Sequence, residues 1–189
     1  DALDGRVQWA GAYPGIAKVT GTYMRGESTQ TENETGWKQS AVFPVGADLV
    51  VLPNDATHIL CFDRASGRLR YRVPRNGARY ALGVQGRTLV VAGSRFARAH
   101  VLETGKVKWK RKIPAATGQG FLTSELVIIP HNESLTALRL ADGKTQATWR
   151  VGMDRNLPLG NTVSDGDYVY AAGLNRLLAV SSGEFRFEE

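Results

Sequence analysis

A turn motif recurs at a nearly even interval along this 189-residue chain. Four short segments end in a small or polar residue followed by glycine, and a strand-like pattern resumes after each glycine. These turn glycines are 38, 38 and 40 residues apart: Gly67, Gly105, Gly143 and Gly183. Gly5 precedes them by a longer gap of 62 residues. A fixed period of this size indicates a repeat protein, in which each repeat is one supersecondary unit.

An aromatic residue follows each of these glycines on the next predicted strand. It stands four positions after the glycine in four copies: Trp9, Tyr71, Trp109 and Phe187. Trp149 stands six positions after Gly143, which predicts a two-residue irregularity in that copy. Because the offset is otherwise constant, the aromatic residue belongs to the repeat itself.

Short apolar runs bounded by turn residues predict an all-β chain. Four of these runs form the second strand of a repeat: Asp48–Pro53, Gly86–Ala92, Glu125–Pro130 and Asp167–Ala172. First strands are predicted just before them: Ala41–Val45, Ala78–Gly83, Gly120–Leu122 and Leu157–Thr162. A third strand leads into the turn, and a fourth carries the aromatic residue. No stretch shows the apolar spacing of a helix,.

Four strands in about 38–40 residues match the size of a β-propeller blade. A β-sandwich is the structural alternative, but it does not predict one turn motif at an even period. The repeats predict a partial blade, an insertion and four blades: 1–12, 13–40, 41–77, 78–117, 118–154 and 155–189. The insertion at 13–40 is polar and ends near Trp37, and long loops on rigid scaffolds often carry binding function,.

Alternation along the fourth strands predicts which side chains face inward. In one strand these are Val107, Trp109 and Ile113, and in another they are Leu69, Tyr71 and Val73. Basic residues are predicted on the opposite, solvent faces: Lys106, Lys108, Lys110, Lys112, Arg68, Arg70 and Arg72. Arg111 falls on the inward side, and we expect its charge to extend to the strand end.

The turn-and-aromatic segments resemble the PQQ-like propeller repeat of quinoprotein dehydrogenases and of BamB-like outer-membrane assembly lipoproteins. The resemblance is carried by Ala2–Trp9, Cys61–Tyr71, Val101–Trp109 and Ala137–Trp149, with a degenerate copy at Leu177–Phe187. It implies that the aromatic residues pack between neighbouring blades. It also implies a propeller of seven or eight blades, so we expect this chain to be part of a longer or processed protein, exported to the periplasm, cell surface or medium.

No residue pattern predicts a catalytic, cofactor-binding or metal site. Quinoprotein dehydrogenases that resemble this fold use adjacent cysteines and Ca²⁺ held by acidic and amide side chains. Cys61 is the single cysteine, and Asp165–Asp167 reads as a hairpin turn. The histidines lack metal-ligand spacing and are expected to be structural or solvated: His58, His100 and His131,. Two glycosylation triplets begin at Asn33 and Asn132,.

These observations favour a non-enzymatic protein-interaction scaffold. The alternative is part of a PQQ- and calcium-dependent oxidoreductase whose cofactor residues lie elsewhere. The expected partner is another protein, the remainder of a propeller or a second copy, because the outer faces near Val7, Trp9, Phe185 and Phe187 are apolar,. The net charge is +6, but the basic strands carry no aromatic residue on the same face, so nucleic acid is not expected,. No apolar run approaches the roughly 18 residues of a membrane span.

Overall fold

The computed structural model describes residues 6–13, 41–53, 56–132, 134–150, 158–173 and 176–181, which form strands and turns without a helix. Accordingly, no helix within these ranges is long and apolar enough to cross a membrane. The chain divides into two compact units, Asp1–Asn76 and Gly77–Glu189.

The described part of the first unit contains one four-stranded antiparallel sheet with its strands in chain order. The strands of this first sheet are β1 (Ala41–Val45), β2 (Asp48–Leu52), β3 (His58–Asp63) and β4 (Leu69–Pro74). Short turns join β1 to β2 and β3 to β4, as the glycine-bounded pattern predicts,. Gly46 and Gly67 take positive φ values in these turns.

Among its described residues, the second unit contains three sheets with the same meander order. The second sheet comprises β5 (Ala78–Gln85), β6 (Thr88–Gly93), β7 (Phe96–Val101) and β8 (Val107–Lys112). The third comprises β9 (Phe121–Leu122), β10 (Leu126–Pro130), β11 (Ser134–Arg139) and β12 (Thr145–Arg150). The fourth comprises β13 (Leu159–Ser164), β14 (Tyr168–Gly173) and β15 (Arg176–Ser181). These antiparallel sheets are the predicted propeller blades.

Several predicted features lie outside the described residues. They are Gly5, nearly all of the insertion at 13–40 with Trp37 and the triplet at Asn33, the turn glycine Gly183, and the last strand with Phe185 and Phe187.

Apolar side chains hold the sheets of the second unit face to face. One cluster joins the second and third sheets, with Val90, Ala99 and Trp109 on one side and Val127 and Ile129 on the other. A second cluster joins the third and fourth sheets. Its principal members are Ile128, Leu135, Ala137, Val169 and Ala171. The third sheet is therefore covered on both faces, which explains why β10 reads as a continuous apolar run.

Each of the first three sheets has one extra residue in its fourth strand, three positions after the turn glycine. The register shifts show this bulge residue at Arg70, Lys108 and Gln146. A bulge places two residues opposite one and breaks the simple alternation of side chains. Because it recurs at the same place in three sheets, the bulge is part of the repeat.

The bulge overturns two predicted inward residues. Val107 lies opposite His100, rather than on the face of Trp109, and 54% of its surface is exposed. Leu69 is 43% exposed for the same reason. Lys108 is the bulge residue itself, so the predicted single face for all four lysines of this strand is also wrong. Trp109 and Ile113 are buried as predicted.

The predicted two-residue irregularity before Trp149 is wrong. Ala147 lies opposite Ala137, as Trp109 lies opposite Ala99. Trp149 occupies the next position on the same face, opposite Leu135. The third sheet thus keeps the register of the other sheets, and its aromatic residue stands two positions further along the strand on the same face.

Candidate functional site

The fourth strand of the second sheet contacts the turn of the third. The Trp109 Nε1–H donates a hydrogen bond to the Leu140 carbonyl oxygen at 2.9 Å. The Arg111 guanidinium donates to the carbonyl oxygens of Gly143 and Asp142, each at 3.2 Å. Arg111 therefore lies inward with its charged end on the neighbouring turn, and the expected packing of Trp109 between blades is confirmed.

Gly143 makes this contact sterically feasible. Its φ is +71°, and a Cβ on it would lie 2.5 Å from the Trp109 ring. The first unit repeats the arrangement, because the Trp9 Nε1–H donates to the Arg64 carbonyl oxygen at 2.9 Å and its ring covers Gly67. A glycine is required at both turns because the backbone is left-handed and the indole lies against it.

A groove with a volume of about 500 Å³ opens beside this contact, between the second and third sheets. Its lining residues are Thr88, Lys108, Ser124, Glu125, Leu126, Arg139, Leu140, Ala141 and Gln146. Two of them, Lys108 and Gln146, are the bulge residues of neighbouring sheets. The bulges therefore direct one cation and one amide into the same groove. This volume falls within the usual range for ligand pockets.

The charged groups in the groove differ in their partners. Arg139 pairs with Asp142 at 2.7 Å, and this hydrogen-bonded guanidinium lowers the pKa of Asp142 to about 2. Lys108 and Glu125 make no ion pair with any other described residue. Lys108 can therefore meet an incoming carboxylate, and Glu125 can meet an incoming cation or amide donor.

A basic strand continues from the groove. β8 is the edge strand of the second sheet, and its exposed cations are Lys108, Lys110, Arg111 and Lys112. None of its lysines lies within ion-pair distance of a carboxylate in the described ranges. The Lys110 Nζ lies 5.1 Å from the centroid of the Phe96 ring. The ring of Phe96, which belongs to the neighbouring strand β7, therefore lies beside this basic face, although β8 itself carries no aromatic residue on it.

His100 is structural, as expected. It is buried, its Nδ1 lies 2.7 Å from the Gly105 carbonyl oxygen, and the Arg98 Nε–H donates to its Nε2 at 2.9 Å. This pattern requires the neutral ring with its proton on Nδ1. Burial lowers the pKa of His100, and the adjacent Arg98 charge lowers it further.

The other residues considered in the sequence, His58, His131 and Cys61, do not form a common site. His131 lies in the predicted turn, is buried, and its Nδ1 is 3.2 Å from the Ala115 carbonyl oxygen. Burial lowers the pKa of His131. His58 begins β3, where its Nδ1 lies 2.8 Å from the Thr57 hydroxyl oxygen. Cys61 is fully buried in β3, as predicted, and burial raises the pKa of its thiol.

The described residues do not fit a PQQ–calcium site. No group of three or more histidine, cysteine, aspartate or glutamate side chains among them could hold a metal ion. Cys61 is buried within a sheet and has no cysteine neighbour. Asp165 caps the β13–β14 turn, where it accepts hydrogen bonds from the Asp167 and Tyr168 amides and the Tyr170 hydroxyl.

A family model described as outer membrane protein assembly factor BamB matches residues 1–186. No curated protein sequence is significantly similar to the chain.

Solved structures share the fold at low sequence identity. BamB from Moraxella catarrhalis matches with a TM-score of 0.59 and 19% identity, over 74% of this chain and 44% of that one. The computationally designed Ika4 protein matches with a TM-score of 0.55 and 11% identity, over 76% of this chain and 92% of that one. The quinohemoprotein alcohol dehydrogenase ADHIIG from Pseudomonas putida HK5 matches with a TM-score of 0.57 and 11% identity, over 70% and 28%. This chain thus spans less than half of the BamB structure.

The groove could not be found from sequence alone. Its walls come from two repeats, and its polar residues depend on bulges that strict alternation does not predict. The bulge stands three residues after the turn glycine at both Lys108 and Gln146, but only the pairing of the strands reveals this offset.

Proposed function

Because the chain belongs to the family of the outer membrane protein assembly factor BamB, we propose that it is a non-enzymatic propeller module that binds other proteins in the bacterial envelope. The periplasm is the compartment we assign to it, since the family description places assembly work at the outer membrane. A fold of stacked rigid sheets suits a scaffold, because it holds surface groups in fixed positions.

The basic edge strand β8 and the groove at its beginning carry this proposal. The strand presents cations that lack carboxylate partners in the described parts of the chain, and both Lys108 and Gln146 line the groove. An edge strand also offers backbone groups on its outer side. Lysines on an edge discourage pairing with other basic or apolar strands, but they favour a segment of opposite charge.

The partner that fits is an acidic, extended segment of another protein. Such a segment can pair its backbone with β8 while its carboxylates meet Lys110 and Lys112. One carboxylate can enter the groove and contact Lys108 and the Gln146 amide. Because these cations are exposed, their attraction contributes more to encounter and specificity than to raw affinity.

Fluorescence anisotropy tests this proposal with a labelled peptide in which glutamate and serine alternate. The expected result is saturable binding that weakens as salt is raised, because exposed charges are screened. The same peptide with lysine in place of glutamate should not bind. A single-stranded oligonucleotide should bind no more tightly than the acidic peptide at equal negative charge.

A double substitution, Lys108→Gln with Lys110→Gln, should weaken binding of the acidic peptide by about tenfold, equivalent to about 1.4 kcal/mol. The matched control is Arg79→Gln with Arg150→Gln, which removes the same charge at exposed positions outside β8. If both pairs weaken binding equally, only net charge is at work and the assigned surface is wrong.

The alternative, part of a quinoprotein oxidoreductase, rests on likeness of fold alone. Titration of the chain with PQQ and Ca²⁺, followed by tryptophan fluorescence, tests it directly. Saturable quenching that requires both components would favour the oxidoreductase over the scaffold.

The remaining expected partners are a further propeller segment or a second copy of the chain. Either would have to cover apolar surface, and the fourth sheet presents such a surface on one face.

A further inference from the structure

The groove between the second and third sheets is larger than the acidic side chain that enters it. Its volume is about 500 Å³, whereas a carboxylate has the size of about two water molecules, roughly 60 Å³ in the liquid,. A carboxylate beside Lys108 therefore leaves most of the groove unfilled. The described lining residues all come from these two sheets and their turns, and the two sheets share one buried cluster within the second unit.

One part of the lining is apolar, and the backbone of its two leucines is fully hydrogen-bonded. This part comprises Leu126 at the start of β10 and Leu140 with Ala141 after β11. The Leu126 N–H donates to the Thr123 hydroxyl oxygen, and the Leu126 carbonyl oxygen accepts from the Thr123 N–H, each at 2.9 Å. The Leu140 N–H donates to the Glu125 carbonyl oxygen at 2.7 Å, and the Leu140 carbonyl oxygen accepts the indole bond described above. An apolar side chain can therefore cover both leucines without leaving one of their backbone groups buried and unpaired.

The charges that line the groove nearly cancel, unlike those of the strand beside it. Arg139 is paired with Asp142, and Lys108 and Glu125 carry opposite charges. Every charged residue of β8 is basic and exposed, both at the groove and beyond it. A partner that matches both regions has carboxylates along β8 and a neutral side chain in the groove.

We propose that the acidic partner carries a large apolar residue next to its carboxylates, and that this residue occupies the groove against Leu126, Leu140 and Ala141. The inference rests on the proposed function and names the residue that supplies most of the partner's affinity. Exposed charges mainly steer encounter and specificity, whereas a large side chain buried in a pocket provides an affinity hot spot. The backbone hydrogen bond between Glu125 and Leu140 joins the two turns before binding, so the wall needs little further ordering,.

Fluorescence anisotropy of two labelled peptides tests the proposal. The first is the peptide in which glutamate and serine alternate, and in the second its central serine is replaced by phenylalanine. The phenylalanine peptide should bind at least about tenfold more tightly, because the groove removes a large apolar side chain from water. A third peptide with alanine at the centre should bind like the serine peptide, since it has little apolar surface to bury.

Filling the groove should remove this gain. Ala141 is exposed on the β11–β12 turn, so Ala141→Phe places a ring in the groove, and Ser124→Phe does so from the β9–β10 turn. In both variants the phenylalanine peptide should bind no more tightly than the serine peptide. The matched control is Ala115→Phe, because Ala115 is an exposed alanine that follows the other end of β8 and does not line the groove. It should leave the difference between the two peptides unchanged.

The outcomes separate this inference from the proposed function. Equal binding of the serine and phenylalanine peptides to the unaltered chain would overturn the inference alone. A gain that persists in both filled variants would also overturn it, because the phenylalanine would then bind at another surface. Failure of both peptides to bind would overturn the proposed function together with the inference. Unchanged circular dichroism and retained binding of the serine peptide show that the filled variants fold.

Discussion

Three alanines occupy the same place in successive sheets and have different surroundings. Ala99 and Ala137 are completely buried, whereas Ala179 is exposed. Their partners across the sheet are equally apolar, since Val90, Ile128 and Tyr170 stand opposite them. The difference therefore arises from what lies over each sheet, and the strand sequences alone do not account for it.

The second strands give the same comparison. β6 (TLVVAG) is buried along its whole length, whereas β14 (YVYAAG) is buried on only one face. A strand that alternates in burial usually alternates in polarity as well. β14 has the apolar composition of a strand covered on both faces, although one of its faces is exposed.

The largest effect should come from removing the residue that joins two covered sheets. Trp109→Ala should lower the free energy of unfolding by about 3–5 kcal/mol, because it leaves a cavity and an unpaired Leu140 carbonyl,. Lys108→Ala, one residue away, should change it by less than about 0.5 kcal/mol. Urea denaturation measures both values. Similar losses for the two variants would contradict the burial of Trp109 and the exposure of Lys108 in β8.

Two leucines, one on a covered face and one on an exposed face, should differ in their contribution to stability. Leu138→Ala in β11 should cost about 2–5 kcal/mol, because the side chain is fully buried between sheets,. Leu177→Ala in β15 should cost less than about 0.5 kcal/mol in the monomer. Chemical denaturation at low protein concentration checks both. A large loss for Leu177→Ala would mean that this face is covered within a single chain.

The turn beneath Trp109 should be less sensitive than the indole itself. Gly143→Ala places a methyl group 2.5 Å from the ring in a left-handed backbone, so it should cost more than the about 1–2 kcal/mol of the backbone term alone,. Gly86→Ala measures the cost of the left-handed backbone alone, because Gly86 has a φ of +56° and nothing lies within 4 Å of the added Cβ. Equal melting temperatures for the two variants would contradict the contact between Trp109 and the turn.

Acidification should produce the smallest effect. The pKa values of His100 and His131 are lowered in the folded protein, mainly by burial. As the pH falls below about 6.5, the unfolded chain takes up protons that the folded chain does not, so stability is lost. Urea denaturation at about pH 7.5 and pH 5.5 should show this loss. His100→Gln with His131→Gln should flatten the dependence, and an unchanged slope would rule out these histidines as its source.

The fold could be predicted from the sequence because its signals are local. Turn glycines, short apolar runs and a fixed period define each sheet without reference to distant residues. The bounds of β1 and the burial of Cys61 and Trp109 follow from that pattern. The exposed positions of Val107 and Leu69 do not, because a bulge depends on how two strands pair and leaves no polar or apolar mark of its own.

The groove and the exposed face of the fourth sheet could not be predicted from the sequence, for a different physical reason. The groove combines Lys108 with Gln146, which are 38 residues apart and meet only when two sheets stack. Predicting the exposed face requires knowledge of what covers each sheet, because β6 and β14 are similarly apolar although only β6 is covered on both faces. Both features arise from the packing of sheets and are invisible in the pattern of one strand.

Amide hydrogen exchange tests the contrast between covered and uncovered sheets most directly. It should be measured at a concentration where the chain sediments as a monomer. The amides of β10 and β11 should exchange only through global unfolding, because both faces of their sheet are covered,. Those of β14 and β15 should exchange at least about tenfold faster through local opening. Equal protection in the two sheets would contradict the account.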